Sequence, residues 1–277
     1  GGGATVATIK RANGTGGRPD SLTQIIVNSG QTFTQLTYAS SAHFNTANVQ
    51  TSLLIPQAPP WVGYLPFPVW VVSDIVGAAS GGPTVAQHFR YDGGYFDGVR
   101  REFRGFQYAW RTDDYGTTVA TQFHQAEPLQ GRTAQDWTTA RNPAVTTQTG
   151  LRSQTVLNWQ YTVQNGRYLP TLASRTVTES GSAVDAPWNP TTSASVTSTF
   201  TYDACGNLSR ETVADSAAIG QTLSDNSSTY ATLNGGCNAY GVCAGICDRV
   251  QTTAQVDGLT KAYAYDGRGN LISVAST

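Results

Sequence analysis

Residues 88–110 read HFRYDGGYFDGVRREFRGFQYAW, in which Phe89 and Tyr91, and then Phe106, Tyr108 and Trp110, stand two residues apart. A spacing of two puts side chains on one face of an extended strand, whereas a helix needs three or four. Phe89 and Tyr91 therefore share a face of a strand that stops at Asp92-Gly93-Gly94, where the glycines accept the positive φ of a tight hairpin. A second break follows at Asp97-Gly98. Phe106, Tyr108 and Trp110 then lie on one face of the next strand, with Gly105, Gln107 and Ala109 on the other. Gly105 is expected where a neighbouring backbone or ring must come close. Arg100, Arg101, Glu102 and Arg104 read as a cross-strand ion pair on an exposed face, worth little, in preference to an anion-binding patch.

The 277 residues are a length for one large domain or two small ones. Charged residues are 13% of the chain, against roughly 25% in an average soluble domain, and Gly, Thr, Ser and Asn fill the difference. Such a composition favours an all-β chain with many turns. A formal net charge of -1 supplies no electrostatic reason to bind nucleic acid or an anionic membrane. The most apolar segment, residues 61–80, is broken by Gly63, Pro66, Pro68 and Asp74, so no membrane span is expected there. Within it, residues 69–72 read as a strand buried on both faces. The chain opens Gly1-Gly2-Gly3 and contains no Met, so it is expected to be an interior piece of a longer protein.

Taken in order, residues 1–20 read as an extended approach segment, and residues 22–27 and 32–38 form a hairpin about Asn28-Ser29-Gly30. Thr112-Asp113-Asp114-Tyr115-Gly116 makes another turn, with residues 119–123 returning. Residues 133–142 are expected to hold a short helix. Trp159, Tyr161 and Val163 alternate before an Asn165-Gly166 turn, and residues 180–195 form a small-polar, proline-containing loop that is the best internal boundary. The last third contains a repeat: residues 200–208, FTYDACGNL, match residues 263–271, YAYDGRGNL. Two aromatics face one side, Asp bonds amides within the turn, Gly-Asn tolerates the left-handed conformation, and Leu restarts the strand. Tyr202 and Tyr265 lie 63 residues apart, room for three periods of about 20 residues if degenerate copies intervene.

The order Tyr91, Gly94, Tyr95, Asp97, then Arg101-Glu102-Phe103-Arg104-Gly105-Phe106, resembles the middle region of the B components of insecticidal Tc toxin complexes and of related SpvB-type secreted proteins. The string PFPVWVVS at 66–73, the hairpin before it, and Pro128-Leu129-Gln130-Gly131 after it are similar to the same family. Tyr202, Asp203, Gly206 and Asn207, with Tyr265, Asp266, Gly269 and Asn270, resemble the YD or RHS repeat of Tc components, RHS polymorphic toxins and teneurins. The resemblance implies an all-β antiparallel strand-turn-strand sheet, part of a large curled shell. It implies a toxin-like middle region over 1–125, a connecting β region over 126–195 and RHS repeats over 196–277. It further implies a secreted bacterial shell component that encapsulates a toxic polypeptide, with a C-type RHS subunit and a pore-forming A component as partners. The alternative is a teneurin-like cell-surface adhesion or glycan-binding protein, for which Trp61, Trp70, Trp110, Trp137, Trp159 and Trp188 would supply stacking surfaces.

Motifs of catalysis do not stand out. His43, His88 and His124 fall in different expected elements, and there is no nucleophile elbow, zincin helix, phosphate loop or Glu-x-Glu pair such as the ADP-ribosyltransferase domain of SpvB-like relatives carries. His88 and His124 could meet across a sheet, but ordinary hydrogen-bonded imidazoles are the better reading. Asp113 and Asp114 read as turn caps. No enzyme activity and no cofactor are expected. Cys205, Cys237, Cys243 and Cys247 are too few for a framework; incidental thiols, one disulfide among the last three, or a metal site all remain open.

Overall fold

The computed structural model describes residues 7–11, 21–27, 32–41, 65–79, 81–141, 149–164, 166–179, 194–215, 222–233 and 246–276. They fall into two compact units: residues up to 126 with 130–152, and residues 127–129 with those from 153 onward. Every element among them is a strand, as the period-two patterning demands.

The first unit contains β1 (Ala7–Arg11), β2 (Leu22–Val27), β3 (Thr32–Ser40), β4 (Trp70–Ala79), β5 (Thr84–Asp92), β6 (Phe96–Asp97), β7 (Glu102–Phe103), β8 (Tyr108–Asp113), β9 (Thr118–Phe123) and β10 (Thr133–Arg141). Each pairs antiparallel with the next, except that β5 passes directly to β8 and leaves β6 and β7 as a separate two-stranded ribbon. The second unit contains β11 (Thr149–Gln164) from Ser153 on, β12 (Arg167–Glu179), β13 (Ala194–Tyr202), β14 (Leu208–Asp215), β15 (Thr222–Leu233), β16 (Ile246–Ala254), β17 (Thr260–Tyr265) and β18 (Leu271–Ser276), again an antiparallel meander in chain order. Short connections favour this order, because an antiparallel return needs only a tight turn. The expected hairpin of residues 22–38 is the β2–β3 pair, with Val27 opposite Thr32. Its turn, like Asn165 and residues 180–193 of the expected boundary loop, lies outside the described residues.

Packing in the first unit centres on three adjacent strands. Ala120 of β9 stands opposite Trp110 of β8 on one side and Trp137 of β10 on the other. These are the buried hydrophobic residues among those described, and Tyr108 packs against them, its ring stacked on Trp110 at 5.8 Å. A methyl group between two indoles is what lets both large rings lie over one face.

Two expectations need correction. Of the expected helix at 133–142, residues 133–141 are instead the strand β10, and residue 142 lies outside the described residues. Thr133, Thr138 and Thr139 are β-branched and fit a pleated surface, and pairing with β9 buries Trp137, a gain that no isolated helical turn could offer. Residues 69–72 are not buried on both faces either. Trp70 is 39% exposed and Val69, Val71 and Val72 are half-buried, because no second layer covers them among the described residues.

The Trp110–Ala120–Trp137 row predicts that Ala120→Leu overpacks the face and destabilises by about 1–3 kcal/mol. Urea unfolding followed by tryptophan fluorescence measures it, and Ala120→Gly should not show the same steric loss.

Candidate functional site

The REFRGF string lies in an excursion between β5 and β8. Asp92 and Tyr108 are paired, so the chain leaves the ladder after Asp92 and rejoins it at the same level. Burial pushes the Asp92 carboxyl up in pKa. Gly93, at φ +62, makes the exit turn. Tyr95 and Gly105 are tied by a backbone bond of 3.1 Å, and the Arg104 amide donates to the Tyr95 carbonyl at 2.9 Å. Gln125 holds the base of the excursion from outside, donating to the Gly93 and Gly105 carbonyls at 2.6 and 2.9 Å.

Inside the excursion, Asp97 and Arg104 form the principal ionic contact. Asp97 Oδ1 accepts the Val99 and Arg100 amides at 3.0 and 3.1 Å, which closes the Asp-Gly turn. Its other oxygen takes the Arg104 guanidinium at 2.8 Å. The Arg100 amide first, then the Val99 amide and Arg104, hold the Asp97 carboxyl below its ordinary range. Arg104 also donates to Gln130 Oε1 at 3.0 Å and lies 3.7 Å from Glu102. The Arg104 side chain is only 5% exposed, so the expected exposed ion pair is instead a buried one. A planar guanidinium suits this role because its fork can satisfy several acceptors at once.

Aromatic rings surround the turn. Phe106 packs on Tyr91 at 5.1 Å and on Phe103 at 5.4 Å, and Phe96 meets Phe67 edge-on at 5.2 Å. Tyr108 and Trp110 share a face as expected, but Phe106 precedes β8 and turns to Tyr91 and Phe103 instead. The glycines divide the work differently from the sequence expectation. A Cβ on Gly105 would meet nothing within 4 Å, and its φ of +86° is the reason for glycine there. Gly94 is the close-approach position: its Cβ would lie 2.5 Å from Leu65 and 3.1 Å from Phe106. Arg101 adopts φ 54° without that excuse, the one described non-glycine residue with positive φ.

The two repeat copies superimpose in chemistry. Asp203 Oδ1 accepts the Cys205 and Asn207 amides, both at 2.9 Å, and its Oδ2 accepts the Asn207 side chain at 3.0 Å. Asp266 does the same with Arg268 and Asn270 at 2.9, 2.9 and 2.8 Å. The Asn270 side chain, ahead of the backbone amides, holds the Asp266 carboxyl below its ordinary range. Gly206 and Gly269 both sit at φ +84°. The same five-residue turn recurs at 113–117 and 255–259, with Gly116 and Gly258 in the fourth place, although only Asp113 keeps the capping carboxylate in the first. Tyr202 donates its hydroxyl to the Leu172 carbonyl at 3.0 Å and Tyr265 to Val250 at 2.8 Å.

Two further tyrosines make that bond, and sequence reasoning missed both. Tyr230 donates to Leu208 at 2.8 Å and Tyr38 to Leu22 at 3.0 Å. All four follow a register shift at the preceding residue, a bulge that re-aims the ring toward the neighbouring strand. Among the described residues between Tyr202 and Tyr265, Tyr230 makes the same bond, at steps of 28 and 35 residues; residues 216–221 and 234–245, where further degenerate copies would fall, lie outside the described residues. A Thr-Tyr pair at each of 37–38, 201–202 and 229–230 was the available signal. Phe89-Arg90-Tyr91-Asp92 also has the aromatic, x, Tyr, Asp spacing of the repeat, with the excursion standing where the short turn would be.

His88 and His124 are not cross-strand neighbours, since β5 and β9 are separated by β8. His88 Nδ1 lies 2.7 Å from Asp74 and its Nε2 3.8 Å from Asp114, whose other oxygen accepts the Ala86 amide at 2.6 Å. Ser73 donates to Asp74, not to the imidazole. Burial pushes Asp74 up, but Ser73 and His88 outweigh it and hold the carboxyl low. With carboxylates at both ring nitrogens and no hydroxyl facing them, the cluster has the form of a cross-strand clip and lacks the geometry of an activated nucleophile. Asp113 caps its turn as expected. Cys205 is disulfide-bonded, which removes the incidental-thiol reading for that residue; Cys237, Cys243 and the Cys247 side chain lie outside the described residues, as do His43, Trp61 and Trp188.

The two glycine roles predict different rescues. Asn tolerates the left-handed region, so Gly105→Asn should destabilise less than Gly105→Val, whereas Gly94→Asn should be as harmful as Gly94→Val, both read from urea midpoints. The lowered carboxyls predict an acid limb: Asp97 and Asp266 contribute stability above their unfolded values near pH 4, and lose it as pH falls through their lower folded values. A urea midpoint that falls on acidification, with a shallower fall in Asp97→Asn and Asp266→Asn, is the expected result.

A family model described as the insecticide toxin TcdB middle/N-terminal region matches residues 5–131. No curated protein matches the chain. Among solved structures, a TcdB2-TccC3 crystal structure is similar at 12% identity and a TM-score of 0.71, over 95% of this chain and 19% of that one. A TcdB2-TccC3-TEV crystal structure gives 12% identity and 0.69, over 95% and 18%. A Photorhabdus luminescens Tc holotoxin pore with a mutated TccC3 gives 12% and 0.70, over 94% and 18%. The chain therefore spans less than a fifth of the length of these structures, and the likeness is one of fold. The REFRGF excursion lies inside residues 5–131, the stretch similar to the insecticide toxin TcdB middle/N-terminal region.

Proposed function

We propose that this segment is a length of wall in an RHS-type shell that encloses a toxic polypeptide, within a secreted bacterial Tc toxin component, and that it carries no catalysis of its own. The observation behind this reading is the antiparallel meander within each unit, in which four tyrosine hydroxyls bond a neighbouring strand's carbonyl and one five-residue turn recurs. Successive pairing leaves few exposed edges, which is the physical requirement of a closed container. TcdB2 occurs with TccC3 in the similar structures, and one of those is a holotoxin pore; a C-type RHS subunit and a pore-forming A component are the corresponding partners proposed here. The disulfide at Cys205 fits an oxidising, extracellular destination. We further read 1–125 as the toxin-family region, 126–195 as a connector and 196–277 as RHS repeats.

The adhesion alternative calls for a groove of exposed tryptophans, and Trp110 and Trp137 are buried against Ala120. The test uses the full-length component co-expressed with its C-type partner. Protease should leave the enclosed polypeptide intact in the wild-type complex and degrade it in an Arg104→Ala complex, where Asp97 and Glu102 lose their cation. Equal digestion in the wild-type complex and in free cargo would sink the proposal, and saturable glycan binding with no protection would favour adhesion.

A further inference from the structure

We propose that the Arg101–Glu102 peptide bond, at the tip of the REFRGF excursion, is a processing site for an arginine-directed endoprotease, and that the excursion keeps the two halves assembled once the bond is cut. The tip is the turn that joins β6 to β7, which pair at Phe96–Phe103 and Asp97–Glu102. Val99 is 96% exposed there, more than any other large hydrophobic residue described, and Arg100 and Arg101 are exposed beside it. Exposed turn tips are where chains are nicked. Paired arginines suit a cleft whose specificity pocket carries a carboxylate. The other basic pair, Lys10-Arg11, lies instead in the β1 ladder opposite Gln24 and Leu22.

Exposure alone does not single out this bond, because Arg167 and Arg268 are exposed as well. Backbone strain does. An endoprotease takes its substrate in extended form, so a turn has to open before it is cut, and Arg101 starts at φ 54°, a region that its Cβ disfavours. Opening therefore relieves strain at the residue whose side chain enters the enzyme. In the 266–270 turn the positive φ falls on Gly269, which has no Cβ to strain, and the amides of Arg268 and Asn270 are both held by Asp266. Arg167 is paired with Gln164, and the positive φ beside it belongs to Gly166. Hydrolysis adds water across the bond: the C–N bond breaks, Arg101 keeps the new carboxylate and Glu102 the new ammonium group. The halves remain tied by the Tyr95–Gly105 and Arg104–Tyr95 backbone bonds, by Arg104 on Asp97 at 2.8 Å, and by Gln125 on Gly93 and Gly105. The strand ladder is untouched by the cut, so the site does not depend on what the wall encloses.

Arg101→Lys and Arg268→Lys variants of the full-length component, each treated with a trace of lysine-specific protease, test the site. Lys10 and Lys261 are the lysines native to this chain, so new N-termini at Glu102 and Gly269 are read by mass spectrometry without interference. Cleavage before Glu102 should be about tenfold faster than cleavage before Gly269, the factor that relief of one strained residue supplies. The cut Arg101→Lys protein should then elute as one species in size-exclusion chromatography and separate into two pieces in denaturant. Trace trypsin should give the same Glu102 terminus in the wild type, and Arg101→Gln should abolish it. Equal rates at the two tips, or cleavage before Glu102 that begins only in urea, would refute the site; pieces that part in native buffer would refute the clasp.

Discussion

A sheet with so little covered by a second layer depends on contacts between adjacent strands. No described side chain falls below 2% exposure, and the buried hydrophobics among those described are Trp110, Ala120 and Trp137. Backbone ladders hold the strands but do not choose their register, because a slip of one residue preserves the hydrogen-bonding pattern while reversing every side chain. The tyrosine hydroxyl on a neighbour's carbonyl supplies that choice. It reaches its acceptor only from one position, set by the bulge before it. Burial pushes the Tyr202 and Tyr230 hydroxyls up in pKa, so they remain protonated donors.

Threonine does similar work between the tyrosines. Thr112 meets Thr118, Thr176 meets Thr197 and Thr229 meets Thr252, hydroxyl to hydroxyl, at 2.9, 3.0 and 2.6 Å. Such pairs add a little each across a sheet and are specific to one register. They explain a composition in which threonine takes the place of charge: on a lightly covered surface a hydroxyl can bond across the ladder without the desolvation cost of an ion.

The excursion at 93–107 departs from this economy. There the chain buries a guanidinium and surrounds it with Asp97, Glu102 and Gln130, a cluster in which loss of one member leaves the others without compensation. Its rings and its close-approach glycine depend on residues from outside the excursion, Leu65, Phe67 and Gln125, so it is built on the sheet and not beside it. This feature, so costly to assemble inside an otherwise repetitive meander, falls within residues 5–131, the stretch similar to the TcdB middle/N-terminal region.

What could be read from the residues alone was whatever a few neighbours decide. Alternating aromatics specified strands, and Asp-x-x-Gly-Asn specified turns, because the capping carboxylate, the amides it accepts and the left-handed glycine all lie within five residues. The hairpin of residues 22–38 and the repeat at Tyr202 and Tyr265 followed from the same local rules. The strand at 133–141, the burial of Arg104, the separate reasons for Gly94 and Gly105, and the kinship of Tyr38 and Tyr230 with the repeat did not. Each of these is settled by a partner far along the chain: Ala120 for Trp137, Gln130 for Arg104, Leu65 for Gly94, Leu22 and Leu208 for the tyrosines. Local sterics fix a residue's backbone, but burial and register are properties of the neighbour it meets, and only the folded sheet brings that neighbour within reach.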